Sequence, residues 1–421
     1  MTINAQLRVD LKKLFDATEK PSLLQEKNTL IDNLDVADNQ EKLQNAWQAI
    51  IKSLNPEYYV ARDNTKKFYA VQPNIEALVN AVTAAEVALN GNLANNQSLA
   101  EDMTQFIFKV SNFYSIASTL EADNFDICSK WLEKAHKFIT ENNLLESKQH
   151  SIWYNLIGGH KSREYQMGRS IERPEASVAD FKNAVRIRKE ILGNSLDNPN
   201  DIDLRHVQMC LASTLLQDAM WCVLHNGFTD DVKQSCVEAR QYLSELTDAR
   251  LILANGKPDL YRRAGCAQSF GYLQMLEGHF KDARESMHRA SELMKESIGA
   301  TGATGQLSAI LNDEANSLIA LYAITNDDSY FQKAKKCFQE SISLSEGQFE
   351  QMYADVARKS LNQLDSTNIE EYHATKLANI VMHSLTSSPM PKLSVNTNSG
   401  EALHGKETEE VAPTNVLKQK M

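Results

Sequence analysis

The residues in this chain that could do chemistry are few, and they are far apart in the sequence. His206 and Cys210 stand four apart on one apparent helix, and Cys222 and His225 stand three apart further along it. Each spacing suits a pair of metal ligands. Residues 210 and 222 are twelve positions apart, however, about 120° around a helix, so the two pairs face different ways. Core packing is the expected role for all four, and no metal or cofactor is expected. The run GATGATGQLS, with Gly299, Gly302 and Gly305, lacks a preceding strand and a GK[ST] ending. It fails as a phosphate cradle and reads as a turn between helices. Gly158–Gly159–His160 reads as a close-packed or kinked stretch of a long helix. No nucleophile elbow, zinc-protease motif, kinase set or dinucleotide fingerprint occurs, so no catalytic residue is assigned.

The elements around these residues are helical. A chain of 421 residues with 16 glycines, 9 prolines and no regular period-2 pattern predicts an all-α protein. The formal charge of −11, from 44 basic and 55 acidic residues, argues against binding nucleic acid or an anionic membrane surface. Six cysteines without a CxxC pair read as reduced core residues, which suits a cytoplasmic setting. The N-terminus lacks the apolar core of a signal peptide, and no uninterrupted apolar run approaches the roughly 18 residues of a membrane span.

One register runs through the chain. A small residue recurs at Ala135, Ala184, Ala239, Ala290 and Ser341, at intervals of 49, 55, 51 and 51. Three residues before each stand Leu132, Phe181, Cys236, Met287 and Phe338. Three after stand Phe138, Ile187, Tyr242, Leu293 and Leu344. Seven before stand Cys128, Ser177, Val232, Ala283 and Ala334. Small residues on an apolar stripe let two helices approach closely, and larger ones fill the gaps. The columns predict five antiparallel pairs: 102–121 with 124–141, 146–168 with 174–193, 204–226 with 229–249, 259–277 with 280–298, and 306–325 with 328–346.

The stretch GCAQSFGYLQMLEGHFKDARESMHRASEL carries this pattern most fully. Through Gly271, Gly278, Phe280, Ala283 and Ala290 it resembles a tetratricopeptide (TPR) repeat, without that family's first-helix Trp and closing Pro. Its period near 51 also exceeds the TPR length of about 34. The resemblance implies a TPR-like α-solenoid of about five long hairpins over 101–365. An N-terminal helical segment (1–100) precedes it, holding an aromatic-rich hairpin or ordered loop at 56–73. A C-terminal capping helix (366–386) and a disordered tail (387–421) follow.

A solenoid of this kind implies a non-catalytic protein–protein interaction module, a scaffold binding a protein partner with the polar faces of its first helices. The groove candidates are Arg262, Arg263, Gln268, Tyr272, Asn312 and Asn316. The carboxylate clamp of chaperone-binding TPR domains is not reproduced. The catalytic alternative is a pocket between the repeats and the N-terminal segment, around His160 and the 56–73 aromatics. In the tail, Glu407, Glu409 and Glu410 followed by Leu417 resemble the translocation signal of bacterial type IV secretion effectors. That resemblance implies an effector, or a regulator of another effector, delivered to a host-cell cytosol.

Overall fold

The computed structural model describes residues 9, 29–33, 40–53, 79–80, 97–117, 123–166, 175–192, 202–253, 255–301, 304–346, 351–366 and 369–387. Within these the chain is an all-α solenoid. An N-terminal helix α1 (Gln40–Ser53) precedes five hairpins: α2 (Gln97–Ala117) with α3 (Asp123–Glu141), α4 (Lys148–Gln166) with α5 (Glu175–Leu192), α6 (Ile202–Asn226) with α7 (Asp230–Glu245), α8 (Leu260–Leu276) with α9 (Phe280–Thr301), and α10 (Thr304–Thr325) with α11 (Asp328–Ser345). Two further helices follow among the described residues, α12 (Met352–Ser366) and α13 (His373–Ser387). The sole β feature among the described residues is an isolated bridge between Ile252 and Pro258 in the loop before α8. The expected segments 56–73 and 388–421 lie outside the described residues, as does nearly all of 74–91.

Why each hairpin forms is visible in the small-residue column. Ala135, Ala184, Ala239, Ala290 and Ser341 are all fully buried, and so are Leu132, Met287 and Phe338 three residues earlier. A methyl or hydroxymethyl group there lets the paired first helix come close enough for side chains to bond its backbone. Ser151 Oγ donates to the carbonyl of Ala184 at 2.9 Å, and Ser308 Oγ donates to the carbonyl of Ser341 at 3.0 Å, both across 33 residues. Two hairpins therefore repeat one contact at one spacing. In the last hairpin Ser341 Oγ returns the bond to the carbonyl of Ser308. Gly271 serves the same close approach, since a Cβ there would lie 2.7 Å from Met287 Cε. Gly278 turns α8 into α9 at φ +79°, a conformation glycine adopts without strain.

First and second helices differ in how they are covered. A second helix such as α7 buries one stripe, Val232, Cys236, Ala239 and Leu243, and leaves the opposite face to water. A first helix such as α6 buries Leu204, Val207, Leu211, Leu215, Ala219 and Val223, together with the polar Gln208, Thr214 and Asp218. It packs against α5, α7, α8 and α13. Asp203–Asn226 is by length and composition apolar enough to cross a membrane, though charged and polar residues interrupt it, and 67% of its most apolar stretch lies inside the solenoid.

On α8, Phe270 lies only partly buried, packed against the central core, while Ser269 takes the interior position and bonds the carbonyl of Gly265. The glycine-rich run at 299–305 is mostly helix: α9 continues to Thr301 and α10 begins at Thr304, because alanine and threonine sustain the helix between the glycines. The C-terminal helices do not simply cap the stack. α12 covers α10 and α11, but α13 turns back onto the first-helix layer and packs on α10 and α6. Leu377, Ala378 and Val381 of α13 join one core with Ala219, Ala320 and Leu321. An amphipathic helix must bury its stripe against apolar surface, and α13 does so on the first-helix face.

Candidate functional site

Where α13 stops covering the first helices, a cleft of about 500 Å³ remains. Its walls come from α4, α6, α8 and α10 on one side and α12 and α13 on the other. Tyr261, Trp221 and Tyr353 contribute aromatic surface, while Met209, Met275 and Met352 contribute flexible apolar surface. A volume of this size suits a small molecule or a few side chains rather than a folded element.

Polar groups in the cleft are held by one another. Asp313 on α10 is bonded through Oδ2 to the Tyr272 hydroxyl at 2.5 Å and to Gln268 Nε2 at 2.6 Å, both from α8. Gln268 also donates to Tyr272 Oη at 3.1 Å. Burial, opposed by those two hydrogen bonds, pushes the Asp313 carboxyl up to about 6, and the same enclosure holds the Tyr272 phenol well above its ordinary range. Asn312 Nδ2 donates to the carbonyl of Tyr353 on α12, and Tyr372 Oη donates to Asn316 Oδ1. These bonds fasten α8 to α10 and α10 to the C-terminal segment. They also hold Asp313, Asn312 and Asn316 in place on the cleft wall.

The predicted groove residues thus divide in two. Gln268, Tyr272, Asn312 and Asn316 line the cleft. Arg262 and Arg263 do not; they serve the loop before α8. Arg262 pairs with Asp259, whose side chain also accepts the Arg262 backbone N–H at 3.1 Å as the helix cap. Arg263 donates to the carbonyls of Asp248 at 2.7 Å and Leu251 at 3.3 Å. The Leu251 carbonyl also accepts from Asp259 N–H at 2.9 Å, so the Arg263 guanidinium adds a second donor there and ties that part of the loop to Asp248. Asp313 itself was not singled out from the sequence. One signal was present: an acidic residue between Asn312 and Asn316, the two positions already assigned to the groove.

The remaining candidates are structural. His206 Nε2 and Cys210 Sγ are 3.7 Å apart, and no metal-ligand cluster exists among the described residues. Burial pushes Cys128, Cys210, Cys236, Cys266 and Cys337 up to about 12, so these thiols stay protonated. All six cysteines are free. His160 is buried between α3 and α4, 2.8 Å from Ser129 Oγ and stacked on Phe125 at 3.9 Å. Gly158, on the same helix, allows the close approach of α5 instead, since a Cβ there would meet the Phe181 ring at 3.2 Å. The tail residues Glu407, Glu409, Glu410 and Leu417 lie outside the described residues.

No family model matches the chain, and no curated protein matches its sequence. Among solved structures it is similar, at 11% identity and a TM-score of 0.23, to a circular tandem repeat protein with novel repeat topology and enhanced subunit contact surfaces; the alignment covers 91% of this chain and 94% of that one. A superposition that loose bears on neither mechanism nor ligand. The chain stands as an all-α helical-repeat solenoid on its own columns and hairpins.

Proposed function

We propose that this chain is a non-catalytic interaction module, a TPR-like solenoid that takes part of a protein partner into the cleft on its first-helix face. The observation that carries the reading is the cleft itself: four consecutive first helices and the two C-terminal helices leave about 500 Å³ open. Beside it, α13 packs on α6 and α10 of the same layer. Its polar groups are fixed in advance by bonds between helices, so a partner meets a preorganised surface and little ordering cost is incurred on binding. The glutamate-rich tail adds the reading of a secreted bacterial effector, or a regulator of one, working in a host-cell cytosol.

Filling the cleft tests the binding role. Ala309 lies on its wall, and Ala309→Trp places an indole in the open volume. Affinity capture from host cytosol with the wild type and this variant, followed by mass spectrometry, is expected to recover a partner with the first and lose it with the second. The melting temperature and helical circular dichroism should stay close to wild type. A partner recovered equally by both proteins places binding elsewhere on the molecule.

A further inference from the structure

Asp313 is the one carboxylate on the cleft wall, and among the described residues no Lys, Arg or His forms an ion pair with it. Both of its hydrogen bonds fall on Oδ2, leaving Oδ1 with none. Its neighbour Glu314 shows the contrast. One residue on, and therefore about 100° around α10, Glu314 is buried but accepts from His288 Nδ1 at 2.8 Å and Ser291 Oγ at 2.9 Å. A second acceptor lies beside Asp313: Asn312 is 5% exposed, lines the same cleft, and its Oδ1 is buried without a partner. A carboxylate and an amide oxygen, both short of donors, are costly to desolvate unless something donates to them. The walls around them offer Tyr261, Trp221 and Tyr353, whose ring faces attract cations.

From this geometry we infer that the cleft receives a positively charged side chain of the partner, an arginine or lysine, with Asp313 as its counter-ion and the aromatic wall around its stem. The inference rests on the cleft being the binding site. A guanidinium supplies several donors in a plane, enough for Asp313 Oδ1 and Asn312 Oδ1 together, and an alkyl stem suits the methionines. Gln268 and Tyr272 hold the carboxylate from behind, so it need not reorganise when the cation arrives. The chain's charge of −11 favours approach of a basic segment. Ionised Asp313 is required, and its carboxyl is held at about 6. Other titratable and charged groups line the cleft or face Asp313: Tyr261 and Tyr272 on α8, Tyr353 on α12, Tyr372 and His373 at the start of α13, His206 and Cys210 on α6, and Tyr165 and Arg163 on α4, the last engaged by the Ser115 carbonyl at 3.0 Å. The pH dependence therefore needs an Asp313 control.

The test is an NMR titration of the full chain with acetyl-arginine amide and its neutral isostere, acetyl-citrulline amide. At pH 7.5 the arginine compound is expected to bind at least tenfold more tightly, perturbing resonances of α8 and α10. Asp313→Asn should remove that preference, and lowering the pH to 5 should weaken arginine binding severalfold in the wild type but not in the variant. Equal binding of the two compounds, or binding of neither, overturns the inference. If Asp313→Asn does not fold, the wild-type comparison and its pH series decide the matter. The two readings separate. Equal binding of both compounds, with partner capture still abolished by Ala309→Trp, removes the charge assignment and leaves the binding role. Arginine selectivity with capture unaffected by Ala309→Trp does the reverse.

Discussion

Asp313 gives the sharpest consequence for a single residue. Its carboxyl rises from 3.8 to about 6 because burial disfavours the charged form. A carboxyl whose folded value exceeds its unfolded value stabilises the fold when protonated. That contribution is fully present below about pH 4, shrinks as pH rises towards 6, and is absent above it. Two units correspond to at most about 3 kcal/mol, and solvent entering the cleft reduces it, so about 1–3 kcal/mol is expected. Urea denaturation of Asp313→Asn and wild type at pH 4.5 and 7.5 checks this: the variant should gain on the wild type by that amount at the higher pH. Core residues behave differently. Phe338 is fully buried, and Phe338→Ala should cost about 3–5 kcal/mol. Phe270 is only partly covered, so Phe270→Ala should cost less, about 1–3 kcal/mol. Ala290→Leu should cost about 1–3 kcal/mol by overpacking the α8–α9 contact. His160→Ala should lower stability through loss of the Ser129 bond and the Phe125 stack yet leave partner capture intact; loss of function in a folded His160→Ala protein would favour the catalytic alternative.

Among the elements, α13 packs on surfaces that its reading as a capping helix left unspecified. The amphipathic pattern of 369–385 was legible, and so was the inference that its apolar stripe must be covered. Where it docks was not, because a stripe states only that burial is needed. In the structure it docks on α6 and α10. Two truncations separate the helix from the tail beyond it. A chain ending at Ser387 should melt within a few degrees of the full protein, since the sequence of 388–421 holds few large apolar residues. A chain ending at Ser366 loses the burial of Leu377 and Val381, each about 1.5–3 kcal/mol, and uncovers part of α6 and α10. Differential scanning calorimetry should show a clearly lower melting temperature for the second alone. Equal melting of both truncated chains would mean that α13 contributes no stability where it packs.

For the molecule as a whole, the tail and the solenoid should have separable duties. Removing 388–421, or changing Glu407, Glu409 and Glu410 to Ala, should reduce delivery in a type IV translocation-reporter assay while leaving partner capture by purified protein intact. Undiminished delivery by the shortened chain removes the secretion reading alone. The sequence by itself determined the hairpins: a buried small residue must recur wherever two long helices touch, and that requirement survives as columns spaced about 51 apart. Gln268, Tyr272, Asn312 and Asn316, its groove candidates on α8 and α10, lie on the cleft wall. Local pattern reaches this far because helix faces repeat every 3.6 residues. It could not set Asp313 against Tyr272, 41 residues away, or divert Arg262 and Arg263 to a loop they steady. Nor could it place α13 across the first helices. Each of those outcomes depends on which surfaces meet between helices distant in the chain, and apolar burial is indifferent to partner identity. Only the packed structure decides which helices meet, and so which polar groups are brought together.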